Sequence, residues 1–313
     1  MALLRLGDER MISTAVTGLI REVADDSTSG AVELTGKGAQ ALILLADQTR
    51  ALDTSQFLSE LLTAGKELIQ AQPSMAPLFN LVNAALSRLE TVQDVDQARR
   101  RVKSAAQTFV DDLGLRGEKI GLEALSLLSD GLTVLTHSRS STVLGAFLLA
   151  RERGRELKVV CTESRPLYEG RDVAWELTRA GVETTLIPDA AVARFMGRID
   201  VAMVGADSVS TQGLVNKMGT YGLALAAKAH GVPFYGLCGT EKFLPLDYPY
   251  LEIERKDPRE VWKDCPEGVT VLNYYFDVTP LEYLSGLITE RGILLRSQVE
   301  EMLKHLRIHE LLL

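Results

Sequence analysis

The sequence predicts an α/β protein in two parts: an all-helical N-terminal part, then a part built on a mainly parallel sheet. Two observations carry this. Residues 11–128 of the 313 place apolar side chains at helical spacing, and nothing in them reads as a strand. From about residue 131 short apolar runs alternate with helical segments. That is the pattern of right-handed βαβ crossovers. The expected division is therefore 1–128 and 129–313, two lengths within the usual domain range.

In the first part, Ile12, Val16, Leu19, Ile20 and Val23 mark a helix over residues 11–23. Residues 36–47 and 55–71 give two more, the second stopped by Pro73. Ser74 is placed to cap the next helix, which runs towards Glu90. The charged stretch 95–112, with Arg99, Arg100 and Arg101, fits a long solvated helix. In the second part the apolar runs are 132–136, 157–161, 184–187, 201–204 and 233–237, separated by helical segments at 142–153, 173–180, 190–195 and 217–230. Ligands on parallel sheets bind beyond the carboxyl ends of the strands. The residues that follow each run are thus the candidates for function.

Hydrophobic residues make up 46% and charged residues 24%, a balance that builds a core without disulfide or metal staples. The net charge of −8 argues against nucleic acid as a partner but leaves room for a local basic pocket. Cys161, Cys238 and Cys265 are too few and too scattered for a disulfide framework. Cys161 and Cys238 end apolar runs and read as buried thiols. No CxxC pair or His/Cys cluster suggests a metal. No GxGxxG or P-loop pattern suggests a nucleotide cofactor, so no cofactor is expected. Charges within the first eight residues argue against a signal peptide. No uncharged apolar run is long enough for a bilayer. The expectation is a cytoplasmic protein with no membrane partner.

After the first run, Thr136-His137-Ser138-Arg139-Ser140-Ser141-Thr142 leads into a helix. A helix start offers free N–H groups and a positive dipole end. The hydroxyls of Ser138, Ser140 and Ser141 and the guanidinium of Arg139 would add phosphate donors; an ordinary N-cap with polar surface is the competing reading. Arg165, in Thr162-Glu163-Ser164-Arg165-Pro166, either meets an anion or pairs with Glu163. After the fourth run, Gly205 and Ala206 allow close backbone approach. Asp207 beside them can act as a base or hold sugar hydroxyls, or it can simply cap the turn. Lys217, read as opening a helix, opposes the dipole there, a cost that a phosphate would offset. Asn216 adds an amide. Lys242, after the fifth run, is a further cation or a plain surface lysine. His137 fits either proton shuttling or a structural role. No Ser-His-Asp spacing supports a hydrolase triad.

Taken in order, several stretches resemble one family. They are Leu135-Thr136-His137-Ser138, Thr162 to Pro166, Leu186-Ile187-Pro188-Asp189-Ala190-Ala191, Val204 to Asp207, and Asn216-Lys217-Met218-Gly219-Thr220-Tyr221. Pro233-Phe234-Tyr235 and Phe276-Asp277-Val278-Thr279-Pro280 continue the match, with a weaker echo at 73–80. The family contains the α, β and δ regulatory subunits of translation initiation factor 2B, methylthioribose-1-phosphate isomerase and archaeal ribose-1,5-bisphosphate isomerase. The resemblance implies a helical N-terminal domain, a Rossmann-like C-terminal domain that forms dimers, and a phosphate pocket between the two. In the isomerases a cysteine and an aspartate interconvert a sugar 1-phosphate aldose and ketose. The aspartate maps onto Asp207, and the substrate-holding Asn-Lys pair onto Asn216 and Lys217.

The cysteine falls at Ser138, whose hydroxyl cannot supply a thiolate. Two arginines of the isomerases fall at Ser29 and Gln72. The expectation is a phosphosugar-binding protein. It is either an aldose–ketose isomerase, with Asp207 and Ser138 as catalytic groups, or a non-catalytic regulatory subunit that works with related subunits. The aromatic stretch 274–281 either marks an interface or packs internally; the resemblance favours a dimer face.

Overall fold

The computed structural model describes residues 12–248 and 253–313. The charged residues 1–10 used above in locating the protein lie outside them.

Five helices come first: α1 (Thr14–Asp25), α2 (Ala31–Gln48), α3 (Thr54–Ala71), α4 (Ala76–Ser87) and α5 (Val95–Ala124). Among the described residues no strand interrupts them, as the periodicity requires. Ser13, Asp53 and Asp94 cap α1, α3 and α5 through their side chains. Met75, not Ser74, stands at the N-cap of α4. The charged helix α5 runs twelve residues beyond the expected end, to 30 residues, about 45 Å at 1.5 Å per residue. Its length is what joins the two halves. Ala98, Val102 and Ala106 pack in the helical core, while Ile120 and Ala124 pack against the sheet.

The second half contains β1 (Thr133–Thr136), α6 (Ser141–Glu152), β2 (Lys158–Thr162), α7 (Glu169–Arg179), β3 (Glu183–Ile187), α8 (Val192–Met196) and β4 (Val201–Val204). It continues through β5 (Ser208–Ser210), β6 (Gly213–Lys217), α9 (Thr220–His230) and β7 (Phe234–Leu237). Last come β8 (Phe276–Thr279), β9 (Gly286–Thr289), β10 (Gly292–Leu294) and α10 (Arg296–His305). The main sheet has the order β10-β9-β7-β4-β1-β2-β3. It is parallel except for β10, which runs antiparallel to β9.

The alternation of strand side chains decides the layers. Val134, Val159, Cys161, Val201 and Met203 face α5, α6 and α7. Leu135, Val160, Ala202, Val204 and Phe234 face α8 and α9. Both faces are covered, so the central strands read as continuous apolar runs. Chain order runs outward from β1 through β2 to β3, then crosses back to β4 on the other side of β1. The loops after β1 and β4 therefore lie side by side at the switch point, where such sheets bind ligands.

Three expectations need correction. Asn216 and Lys217 do not open a helix; they end β6, in an antiparallel sheet ordered β5-β6-β8. The dipole argument for Lys217 therefore falls, because α9 begins only at Thr220. The stretch 274–281 also turns inward: Tyr275 and Phe276 are buried within the chain, packed into the helical core with Val215. These two rings seal the halves together, while Tyr274, Asp277, Val278 and Pro280 of the same stretch stay half-buried. Among the described residues no helix is long and apolar enough to cross a membrane.

Candidate functional site

A cavity of about 180 Å³ lies between the two halves. Ser138, Arg139, Asp207 and Lys217 line it from the sheet side. The α1–α2 loop (Asp26 to Gly30), Gln72 and Met75 line it from the helical side. Lys256, Asp257, Glu260, Tyr275 and Phe276 close it.

The two switch-point loops touch. A Cβ added at Gly205 would sit 2.7 Å from the Cβ and Oγ of Ser140, so only glycine lets the loop after β4 pass under the start of α6. That pass delivers Asp207 to the cavity. Its backbone is held on both sides: the N–H donates to the Val215 carbonyl at 2.8 Å, and the carbonyl accepts from the Ala76 N–H at 3.1 Å. The first turn of α4 thus docks directly on the Asp207 loop. Burial pushes the Asp207 carboxyl above the usual carboxylate range, against the pull of Lys242 and Lys217 and with a push from Glu169. Asp207 is thereby biased towards holding a proton.

Lys217 is buried, and its ammonium lies 2.5 Å from Glu169 Oε1. It also stacks on the rings of Tyr275 and Phe276, at 4.6 and 5.4 Å from their centroids. Glu169 opens α7, where a carboxylate suits the helix dipole. Ser138 takes the left-handed conformation, with φ of 64°. Its N–H donates to Ser164 Oγ at 2.8 Å, and its hydroxyl reaches Glu169 Oε1 at 3.4 Å.

His137 fixes that strained residue from behind. Its Nε2 lies 2.9 Å from the Met218 carbonyl, which only accepts, so Nε2 carries the proton. Nδ1 then accepts from the Thr162 hydroxyl at 2.6 Å. Ser164 Oγ, 3.2 Å from Thr162 Oγ1, extends the chain to Ser138. Burial lowers the His137 pKa, chiefly through desolvation, and keeps it neutral at pH 7. It is a structural histidine that ties the Ser138 loop to the segment after Lys217.

The other expected residues separate. Arg139 lines the cavity but is bound by Glu176, with Nε and Nη2 both 3.1 Å from Oε1. Ser140 is the N-cap of α6, its Oγ accepting from the Val143 N–H, and Ser141 is exposed on that helix. Arg165 points away from the cavity. Its guanidinium donates to the Tyr168 hydroxyl and, at 3.1 Å, to the Val261 carbonyl. Arg171 takes the Glu163 partner instead. Asn216 is buried behind the wall, donating to Thr220 Oγ1 at 3.0 Å. Lys242 is no surface lysine: it is buried and donates to the Ala206 carbonyl at 2.8 Å, beneath the Asp207 loop. Cys161 and Cys238 are buried thiols, as expected. Burial pushes Cys161 up to about 12 and Cys238 higher still, so neither supplies a thiolate.

Sequence reasoning missed Glu169, Lys256, Glu260 and Tyr275. Glu169 had a usable signal, since it starts the helix after the second strand. The others reach the cavity from distant loops. Tyr275 Oη donates to Glu260 Oε1 at 2.6 Å, and Asn273 Nδ2 donates to Glu260 Oε2 at 2.8 Å. On the helical side, Asp26 accepts from the Thr28 and Ser29 N–H groups and pairs with Lys37 at 2.5 Å. Burial pushes the Asp26 carboxyl up, but these bonds together hold it well below the usual range.

Residues 27–295 match the initiation factor 2 subunit family. The chain belongs to that family. It is 36% identical over 271 residues to the ribose 1,5-bisphosphate isomerase of Archaeoglobus fulgidus, with 84% of each chain covered. It superposes with a TM-score of 0.80 on the crystal structure of the translation initiation factor eIF-2B from Pyrococcus horikoshii OT3. That match has 35% identity, 91% of this chain and 98% of that one. The 5-methylthioribose 1-phosphate isomerase of Pyrococcus horikoshii OT3 superposes with a TM-score of 0.71 and 26% identity, covering 92% of this chain and 86% of that one. Family membership accounts for the helical half and the parallel sheet together.

Proposed function

We propose that this family member is an aldose–ketose isomerase of a sugar 1-phosphate, with ribose 1,5-bisphosphate the first substrate to test and methylthioribose 1-phosphate the second. One observation carries the reading. A carboxyl biased towards its protonated form, Asp207, and a buried ammonium, Lys217, line one cavity at the switch point. An aldose phosphorylated at C1 exists as a closed ring. Its isomerisation needs an acid at the ring oxygen and a cation for the phosphate, and these are the two groups. Ser27, Thr28 and Ser29 add hydroxyls opposite Lys217, beside the start of α2, whose N-cap Gly30 has no capping side chain. The protein would work in the cytoplasm as a homodimer or with related subunits.

Incubation with ribose 1,5-bisphosphate, followed by phosphorus NMR, should show conversion to the 1-phosphoketose. Absence of conversion with both sugars would reject the isomerase reading, and absence of any ligand-dependent rise in melting temperature as well would reject phosphosugar binding. Ser138, standing where the related isomerases carry cysteine, favours a second reading, a ligand-sensing regulatory subunit. In that case the sugar would raise the melting temperature without being converted, and related subunits would co-purify.

A further inference from the structure

The geometry points to Glu169 as the second proton-transferring group of the proposed isomerase, in the place that Ser138 cannot fill. The inference rests on the isomerase reading above. Glu169 lines the cavity with Asp207, Ser138 and Lys217. Its Oε1 is engaged by Lys217 at 2.5 Å and by the Ser138 hydroxyl at 3.4 Å. Its Oε2 is buried, and among the described residues nothing hydrogen-bonds it. A buried carboxylate oxygen without a partner is costly and asks for an explanation. The salt bridge to Lys217 uses Oε1 and leaves the buried Oε2 unexplained. A base that takes a proton from carbon needs one lone pair unengaged.

The proton count closes with these two groups. In this scheme Asp207 is the acid and Glu169 the base. Glu169 removes the proton from C2. The C2–H electron pair forms the C1–C2 double bond, the C1–ring-oxygen bond breaks, and Asp207 gives its proton to the departing ring oxygen. The product of this step is a C2 enol that still carries the C1 phosphate. Asp207 then takes the enol hydroxyl proton as C2=O forms, and Glu169 returns its proton to C1. Both side chains end as they began, with no oxidant, metal or co-reactant. Ser138 positions Glu169 through its hydroxyl, held in turn by the Ser164–Thr162–His137 chain.

The test is the steady-state kinetics of Glu169→Gln and Glu169→Asp against wild type, with ribose 1,5-bisphosphate, across pH 5–9. Glutamine keeps an oxygen for Lys217 but cannot act as a base. The expected result is a fall in kcat of at least about 100-fold, the low end for general acid–base catalysis. The acidic limb of the kcat profile should disappear, while the ligand-induced melting shift persists. Aspartate should retain the acidic limb at reduced kcat, which also covers the case in which the glutamine variant fails to fold. A wild-type kcat and profile in Glu169→Gln would overturn the assignment. So would an effect confined to KM, which would make Glu169 only the holder of Lys217. Absence of turnover by the wild type is a different failure, that of the isomerase reading itself.

Discussion

Lys217 lies in the cavity wall between a carboxylate and two aromatic rings, so its charge is fixed in place before any ligand arrives. Replacing it by Ala should weaken phosphosugar binding by about 1.5–3 kcal/mol, the range for hydrogen bonds to charged groups. Titration calorimetry would show this, and unchanged affinity would remove Lys217 from the site. Asp207→Asn should bind the sugar with nearly wild-type affinity yet lose turnover, since the amide carries no transferable proton. Asp207 and Lys217 were legible in the sequence because each lies in a segment that follows an apolar run, although Lys217 was read there as a helix start and not as a strand end. Asn216, Ser141, Arg165 and Lys242 shared that property and yet point elsewhere. Position at a strand end fixes where a backbone goes, whereas the aim of a side chain depends on partners such as Tyr168 and Ala206 that are remote in sequence.

At the scale of elements, α9 is capped from another strand. Asp277 in β8 accepts from the Gly219 and Tyr221 N–H groups, at 2.8 and 3.2 Å. Burial pushes its pKa up to about 6 despite those two bonds. The folded-state value lies above the roughly 3.9 of an unfolded aspartate, so ionisation is harder in the folded chain. The stabilising contribution is complete below about pH 4 and is lost as the pH rises through about 6. Asp277→Asn should flatten the decline in melting temperature between pH 4 and 6.5; an unaltered slope would mean another group is responsible. A second element-scale prediction concerns α7. A Cβ at Gly170 would meet the Thr162 carbonyl oxygen at 1.8 Å, so Gly170→Ala must push α7 off the end of β2. A loss of about 1–3 kcal/mol is expected from denaturant unfolding, together with lost activity, because Glu169 moves with the helix.

The elements themselves divide by the kind of signal they carry. Helices α1–α9 and the parallel strands β1–β4 and β7 announce themselves through periodicity or apolar runs. Strands β5 and β6 did not. They are three and five residues long, and Asn216 and Lys217 made β6 look like a helix start. Pairing with β5 and, some sixty residues later, with β8 makes that segment a strand.

For the whole molecule, the cavity exists because the helical and sheet halves share packing and are clamped together. Asn80 donates to the Glu241 and Phe243 carbonyls at 2.7 and 2.9 Å. Arg116 on α5 meets Glu241 at 3.1 Å, and Ala76 bonds the Asp207 loop. None of these pairings was legible locally; the helical wall was reached only through the family resemblance, at Ser29 and Gln72, both of which line the cavity. Tyr275 and Phe276 are taken up by the core, so a dimer face at 274–281 would rest on the half-buried Tyr274, Asp277, Val278 and Pro280. Light scattering at micromolar concentration should still report twice the chain mass, and a monomer would reject that expectation. The most direct measurement is phosphorus NMR of ribose 1,5-bisphosphate incubated with the wild type and with Asp207→Asn. Conversion to the ketose by the wild type alone, with both proteins binding the sugar, is the predicted result. Equal conversion by the two proteins, or binding by neither, would contradict the account.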